Sequence, residues 1–463
     1  MSKAVRRKKK IQSAGTDEAS ADFVNEHGKK PFPTRFYILL AFLVGFLAIA
    51  WFAGAPNRLL NSFSRAALSK YDLEGAENWL IFAANFLPDN TDRELLLARI
   101  ARKKSDYADL DKHLSRAIAL GANKLDVQIE EAMAAAQSGA LELVELQLCK
   151  WLESGIGEVD ELSDAYANGL AANSRFENLN QVLDAWQKDY PADPRPDYRR
   201  ARMREYFQDW ASAEALYRKS LSRNPKYYPS RYRLGRVLIL ERKMEDARDQ
   251  FELCAEMSRP EAAKTSLAFC YRSLGQSEEA KELLEEVMQS SPEEIDESYD
   301  ILEESPEYFE AASALGDLES EGENYVAAEK WLLLALSKND RDLQSRYSLA
   351  VTLRQLGRVD EAQKQFDLVS ESRKALEQVN PLRNQIFENP KDPGLRLKLG
   401  ELLLKYESER SGRFWINSVF SIDPSYRPAH EALAKYYRER SGGDSKMKAL
   451  ADYHAKAAGL VTP

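Results

Sequence analysis

Two stretches of this chain coincide when one is slid along the other by 34 residues. Between Phe309 and Lys374, Leu315-Gly316 falls on Leu349-Ala350, Ala328 on Ala362, and Leu332 on Phe366. Within each copy the large apolar residues stand three, four and seven apart, in two runs separated by Gly or Asn. That is helical spacing. A helix–turn–helix unit recurring every 34 residues cannot bury its apolar faces alone, so such units must stack. The expectation is therefore an all-α solenoid. Dividing length by a typical domain size says little about an array of this kind.

The same register runs through most of the chain. Units begin near Asn57, Thr91, Leu125, Asp160, Pro194, Tyr228 and Glu261, then near Phe309 and Leu343, then near Pro393 and Arg427, about eleven in all. Two stretches break the stride. Ile295 to Tyr308 is acidic and interrupted by Pro306, and residues 377–392 contain Pro381 and Pro390. The expected organisation is a solenoid at 57–294, an acidic insert at 295–308, two units at 309–376, a linker at 377–392 and two C-terminal units at 393–463. The insert, counted from Ser291, is expected to be a solvated loop or a short extra helix, with docking of a basic partner as the sharper option. Small residues belong where paired helices cross, as Gly235 with Ala247 or Ala268 with Ala280. Large ones such as Phe251 and Leu284 would fill the space between pairs. Prolines such as Pro88, Pro191 and Pro225 end second helices, having no amide hydrogen to donate.

With these residues the pattern resembles the tetratricopeptide repeat (TPR) family over most of residues 57–460. The resemblance implies a right-handed superhelix whose concave face is lined by the first helix of each pair and binds peptides. The chain departs from the family in places. The aromatic of the first helix is often displaced, and the second and third units lack the terminal proline.

Ahead of the repeats, Phe36 to Asn57 contains no charged residue (FYILLAFLVGFLAIAWFAGAPN). About 20 apolar residues span a bilayer as a helix, so a transmembrane helix is expected over 36–56. Residues 1–35 hold nine Lys/Arg against four Asp/Glu. This bias places the N-terminus in the cytoplasm and the repeats outside it, with Trp51 and Phe52 as interfacial aromatics. The rival reading is a cleaved signal, which has Ala53-Gly54-Ala55 in its favour and Pro56 against it. The basic tail at 1–35 reads as disordered. Its run Arg6–Lys10 fits topology or anionic lipid better than nucleic acid, and no nucleic-acid role is expected.

Chemistry-bearing motifs are scarce. There is no GxxxxGK[ST], GxSxG or HExxH, so no phosphate loop, nucleophile elbow or zinc-protease helix is indicated. The four histidines are scattered and the three cysteines show no metal-ligand spacing. No catalytic residue, cofactor or metal is expected. Cys254 and Cys270 fall on neighbouring helices and could pair outside the cytoplasm, although buried free thiols are the favoured reading. Trp79, Trp151, Trp186, Trp210 and Trp331 read as core.

Charge is segregated instead. Arg195 to Arg236 holds twelve Lys/Arg and four Asp/Glu, whereas Glu278 to Lys330 holds nineteen Asp/Glu and two Lys. Tyr198 and Tyr232 stand one stride apart, as do Arg202 and Arg236. The TPR resemblance implies that such first-helix positions point into the groove. Tyr198, Arg202, Tyr232 and Arg236 are thus the candidate site for an acidic or C-terminal peptide segment, since arginine holds carboxylates bidentately and tyrosine gives contact area at low entropic cost. The leading expectation is a single-pass membrane scaffold or adaptor for membrane or envelope assembly. The alternative is a non-catalytic accessory subunit of a membrane-associated enzyme.

Overall fold

The structure is a computed structural model describing residues 54–463 apart from 105, 139–140, 305–309, 390, 443–444 and 461–463. Asn57–Pro463 is one compact unit. The basic tail and nearly all of the expected spanning helix at 36–56 lie outside the described residues. Among the described residues no helix is long and apolar enough to cross a membrane.

Helices and turns alone make up the described residues, with no strand. The helices come in antiparallel pairs. The pairs Arg195–Tyr206/Trp210–Arg223, Tyr228–Leu240/Met244–Cys254 and Glu261–Ser273/Ser277–Val287 follow one another, and later come Glu310–Glu321/Tyr325–Lys338 and Leu343–Gln355/Val359–Leu376. Many helix starts are fixed by side chains that accept orphan backbone N–H groups, among them Asn90, Asp209, Asp342 and Asp392.

The turns inside the pairs share one geometry. The amide of Asp209 bonds back to the carbonyl of Arg204, Lys243 to Leu238, Gln276 to Tyr271, and Arg358 to Leu353. Each such cap needs a left-handed residue just before the donor. Gln208, Arg242, Gly275 and Gly357 occupy it, with φ of 57°, 63°, 83° and 81°. Positions 208, 242 and 275 stand 34 and 33 apart, and past the acidic insert Glu323, at φ 61°, and Gly357 stand 34 apart, which is the repeat expressed in backbone terms.

The crossing inside each pair is equally specific. A Cβ on Gly235 would stand 2.6 Å from the Phe251 ring, and one on Gly316 would stand 2.5 Å from Leu332. Phe251 therefore seats against the glycine of its own pair, not only between pairs as expected. Between pairs, one continuous apolar cluster runs from Tyr198 to Ala335 and includes Phe251, Leu284 and Leu315.

Two segments break the stride, and both are helical: the first takes the helical one of the two forms expected for it, and the second was expected to be a linker. The acidic insert holds a helix, Pro292–Ile301, with a capping box in which Ser291 and Glu294 satisfy each other's backbone N–H. Ile295, Tyr299 and Leu302 are buried in the main cluster, so the segment is packed and not a solvated loop. The linker expected at 377–392 likewise carries a helix, Val379–Glu388, with Val379, Leu382 and Ile386 buried. Pro381 lies in its first turn, where a missing N–H costs no hydrogen bond.

Candidate functional site

The first helices of successive pairs face one another through charge. Arg195 reaches Glu161 at 2.8 Å and Asp160 at 2.7 Å, and Arg199 reaches Asp164 at 2.8 Å. Arg233 reaches Glu205 at 3.2 Å. Burial penalises the charge on Glu161, but Lys103, Arg195 and Arg102 outweigh it and hold the carboxyl well below its usual range. These are paired, buried ions, in which removing one partner costs more than the pair gains.

Carboxylates from the acidic segment complete the arrangement. The helix Pro292–Ile301 ends in the same left-handed cap as the repeat turns, with Glu303 at φ 57° and the Glu304 amide bonded to the Tyr299 carbonyl. That cap aims two adjacent carboxylates at the arginines. Glu303 bonds Arg199 and the Tyr227 hydroxyl. Glu304 bonds Arg202 at 2.9 Å and also Arg233. Glu310, opening the next pair, bonds Arg236 at 3.4 Å and Tyr299 at 3.3 Å. The helix itself is fastened by Ser298, whose hydroxyl accepts the Ala262 amide at 3.0 Å, and by Arg259 on Glu294 at 3.2 Å.

The four residues singled out from the sequence fall as follows. Tyr198 and Tyr232 are fully buried in the apolar cluster and present no face to a ligand. The Tyr198 hydroxyl accepts from Arg202 at 3.0 Å, and burial pushes its pKa up to about 12. Tyr232 accepts from Ser266 at 3.1 Å. Arg202 is held between Tyr198 and Glu304. Arg236 keeps 40% of its side chain exposed, and Glu310 beside it holds it well above its usual pKa. Sequence reading missed Arg199 and Arg233, a second arginine pair on the same stride. It fixed on the Tyr–Arg match at positions 198 and 202, although the same 34-residue offset was there to find the other pair.

Beside this row lies a cavity of about 630 Å³. Arg195, Arg199, Arg202 and Arg233 line it together with Tyr206, Glu304 and Phe414. Of the four sequence candidates only Arg202 reaches it. Phe414, from the helix Glu409–Asn417, packs on Phe176 and Tyr206 with ring centroids 5.9 and 3.6 Å away.

The cysteines and two of the tryptophans read from the sequence fall as follows. Cys254 and Cys270 are free and buried, and burial pushes each thiol up to about 12, which makes both inert. Trp186 is buried as expected, under the Arg195 guanidinium at 4.9 Å. Trp79 is not core; it is 41% exposed. Among the described residues no group of three or more His, Cys, Asp or Glu is placed to hold a metal ion.

No curated protein matches the chain in sequence. Residues 262–294 match the family model of the tetratricopeptide repeat. Among solved structures the chain is similar to the human IFIT1 dimer with m7Gppp-AAAA, at 16% identity, 84% of this chain, 94% of that chain and a TM-score of 0.41. It is similar to YrrB, a TPR protein with an unusual peptide-binding site, at 18% identity, 47% of this chain, 96% of that chain and a TM-score of 0.27. It is also similar to Pseudomonas aeruginosa pilF, at 15% identity, 50% of this chain, 97% of that chain and a TM-score of 0.37. At these identities and scores none of the three transfers a ligand or a partner. The described residues thus form an all-α helical-repeat solenoid, in which residues 262–294 match a tetratricopeptide repeat.

Proposed function

We propose that the protein is a non-catalytic repeat scaffold that binds acidic protein or peptide segments through the row Arg199, Arg202, Arg233 and Arg236. It is held at a membrane by residues 36–56, with the N-terminus cytoplasmic and the repeats outside. Its role is then that of an adaptor in membrane or envelope assembly. The observation that supports this most is the chain's own choice of partner for the row. Glu303, Glu304 and Glu310 are a ready pattern of what four stacked guanidiniums accept. A partner offering adjacent carboxylates would compete with them for charge-assisted, bidentate bonds. The fold favours protein binding in general terms, since stacked helix pairs give an extended surface.

The test is partner capture from the full chain in mild detergent. Arg202→Glu with Arg236→Glu is expected to abolish capture of acidic partners. Arg236→Glu alone, at the more exposed position, is expected to weaken it. Capture unchanged in both variants removes this row from consideration. The second reading, an accessory subunit of a membrane-associated enzyme, predicts one stoichiometric enzyme in the same eluate, whereas the adaptor reading predicts several unrelated clients. Protease accessibility on intact cells and then on spheroplasts tests the orientation.

A further inference from the structure

We propose that the first helix pair, Ala55–Leu68 and Leu73–Phe86, rests an aromatic face in the surface layer of a lipid bilayer. This rests on the reading that residues 36–56 cross that bilayer. It adds a second, peripheral attachment that orients the repeats.

Exposure carries the argument. On the helix Leu73–Phe86, Trp79, Ile81, Phe82 and Phe86 are all exposed, Phe86 by 65%; Leu59 and Phe63 of the preceding helix are exposed beside them. Elsewhere among the described residues, exposed large apolar side chains come no more than two to a helix. Scattered ones mean nothing, but a contiguous patch marks an interaction surface. These side chains also touch one another. The rings of Phe63 and Trp79 lie 5.0 Å apart, and those of Phe82 and Phe86 lie 5.1 Å apart. Trp79, Phe82 and Phe86 follow helical spacing, so they share one face.

Position and composition choose the occupant. The hairpin returns to where it began, because the Asn57 side chain donates to the Pro88 carbonyl at 3.2 Å. Phe82 and Phe86 therefore lie at the end of the pair where the chain leaves the uncharged run Phe36–Asn57. At about 1.5 Å per residue, Leu59 stands about 3 Å and Phe63 about 9 Å beyond Asn57 along the helix. Interfacial helices bury their apolar face about 5–10 Å into the boundary between headgroups and chains. From Trp79 to Pro88 there is no charged residue. Glu77, on the same helix, is turned to Lys104 at 2.6 Å. Trp79, with an indole N–H for the wet side, suits the depth where aromatic belts form, and Phe and Leu supply the apolar face that interfacial helices bury. A protein partner would leave unexplained why the face gathers at the end of the pair that holds Asn57.

The experiment uses the full chain reconstituted into phosphatidylcholine–phosphatidylglycerol vesicles that carry a photoactivatable acyl chain, with adducts mapped by mass spectrometry. The expected result is lipid adducts in 36–56 and, several-fold above the still more exposed Leu146 and Val326 peptides, in 79–86. Adducts in 36–56 but not in 79–86 overturn the proposal and leave the anchor standing. Adducts in 79–86 without 36–56 support the aromatic face and overturn the anchor. Absence from both overturns both. Cross-links between two copies at this face, in place of lipid, also overturn it. In the variant Trp79→Ser, Phe82→Ser, Phe86→Ser, far-UV circular dichroism is expected to be unchanged and the 79–86 adducts lost; adducts retained at the original level overturn the proposal.

Discussion

Arg242 is held at φ 63° with its side chain in solvent. A non-glycine residue there carries a steric cost of about 1–2 kcal/mol. Glycine removes that cost but adds chain entropy to the unfolded state. Arg242→Gly is therefore expected to stabilise the protein by about 0.5–1 kcal/mol, read as a raised midpoint in urea. Gly235 gives the opposite case. Its missing side chain is the space that the Phe251 ring occupies. Gly235→Ala is expected to destabilise by about 1–3 kcal/mol through overpacking, lowering the same midpoint. Position 235 was readable from the sequence because glycine falls on a crossing position of the stride. Position 242 was not, because the turns at Gly275 and Gly357 show a glycine there and those at Gln208 and Arg242 do not.

The helix Pro292–Ile301 shows where element-level reading succeeds and stops. Ile295, Tyr299 and Leu302 stand four and three apart, a helical stripe hidden among acids. Val379, Leu382 and Ile386 form the same kind of stripe in the segment expected to be a linker. In both places the break in the 34-residue stride was legible; a short helix was one of two readings open for the acidic insert, but its burial was not legible, and in the second segment proline outweighed a three-residue apolar pattern and the helix was missed. The basic and acidic blocks were legible too, but nothing in one dimension said that they would meet. The acidic helix also carries a titration signature. Burial raises the pKa of Asp300 to about 7, and its acidic neighbours Asp296, Glu297 and Asp106 add to this against the opposing charge of Lys104. Folding thus favours the protonated carboxyl. Its contribution is fully present below the unfolded value near 4 and is lost as pH rises toward 7. Asp300→Asn is expected to raise the melting temperature at pH 8 and to leave it nearly unchanged at pH 4, as checked by thermal melts of both proteins across that range.

At the scale of the whole unit, Asn57–Pro463 departs from a strictly nearest-neighbour array. Phe414 lies against Phe176 and Tyr206, and its carbonyl lies 3.5 Å from the Ser174 hydroxyl across 240 residues of sequence. A linear solenoid predicts no coupling between such distant repeats. Tyr206→Ala and Phe414→Ala are expected to be non-additive, with a coupling of about 0.5–1.5 kcal/mol in a double-mutant cycle followed by denaturant unfolding. This closure was invisible in the period, which encodes only what each pair does to the next. The seating of Glu303 and Glu304 in the arginine row has a consequence in time. On the proposed adaptor reading, a client cannot enter a filled seat until the resident leaves. With Ile295, Tyr299 and Leu302 rooted in the apolar interior, departure is expected to be slow compared with diffusion. The pace of engagement then belongs to the host, and beyond a modest supply additional client no longer hastens it.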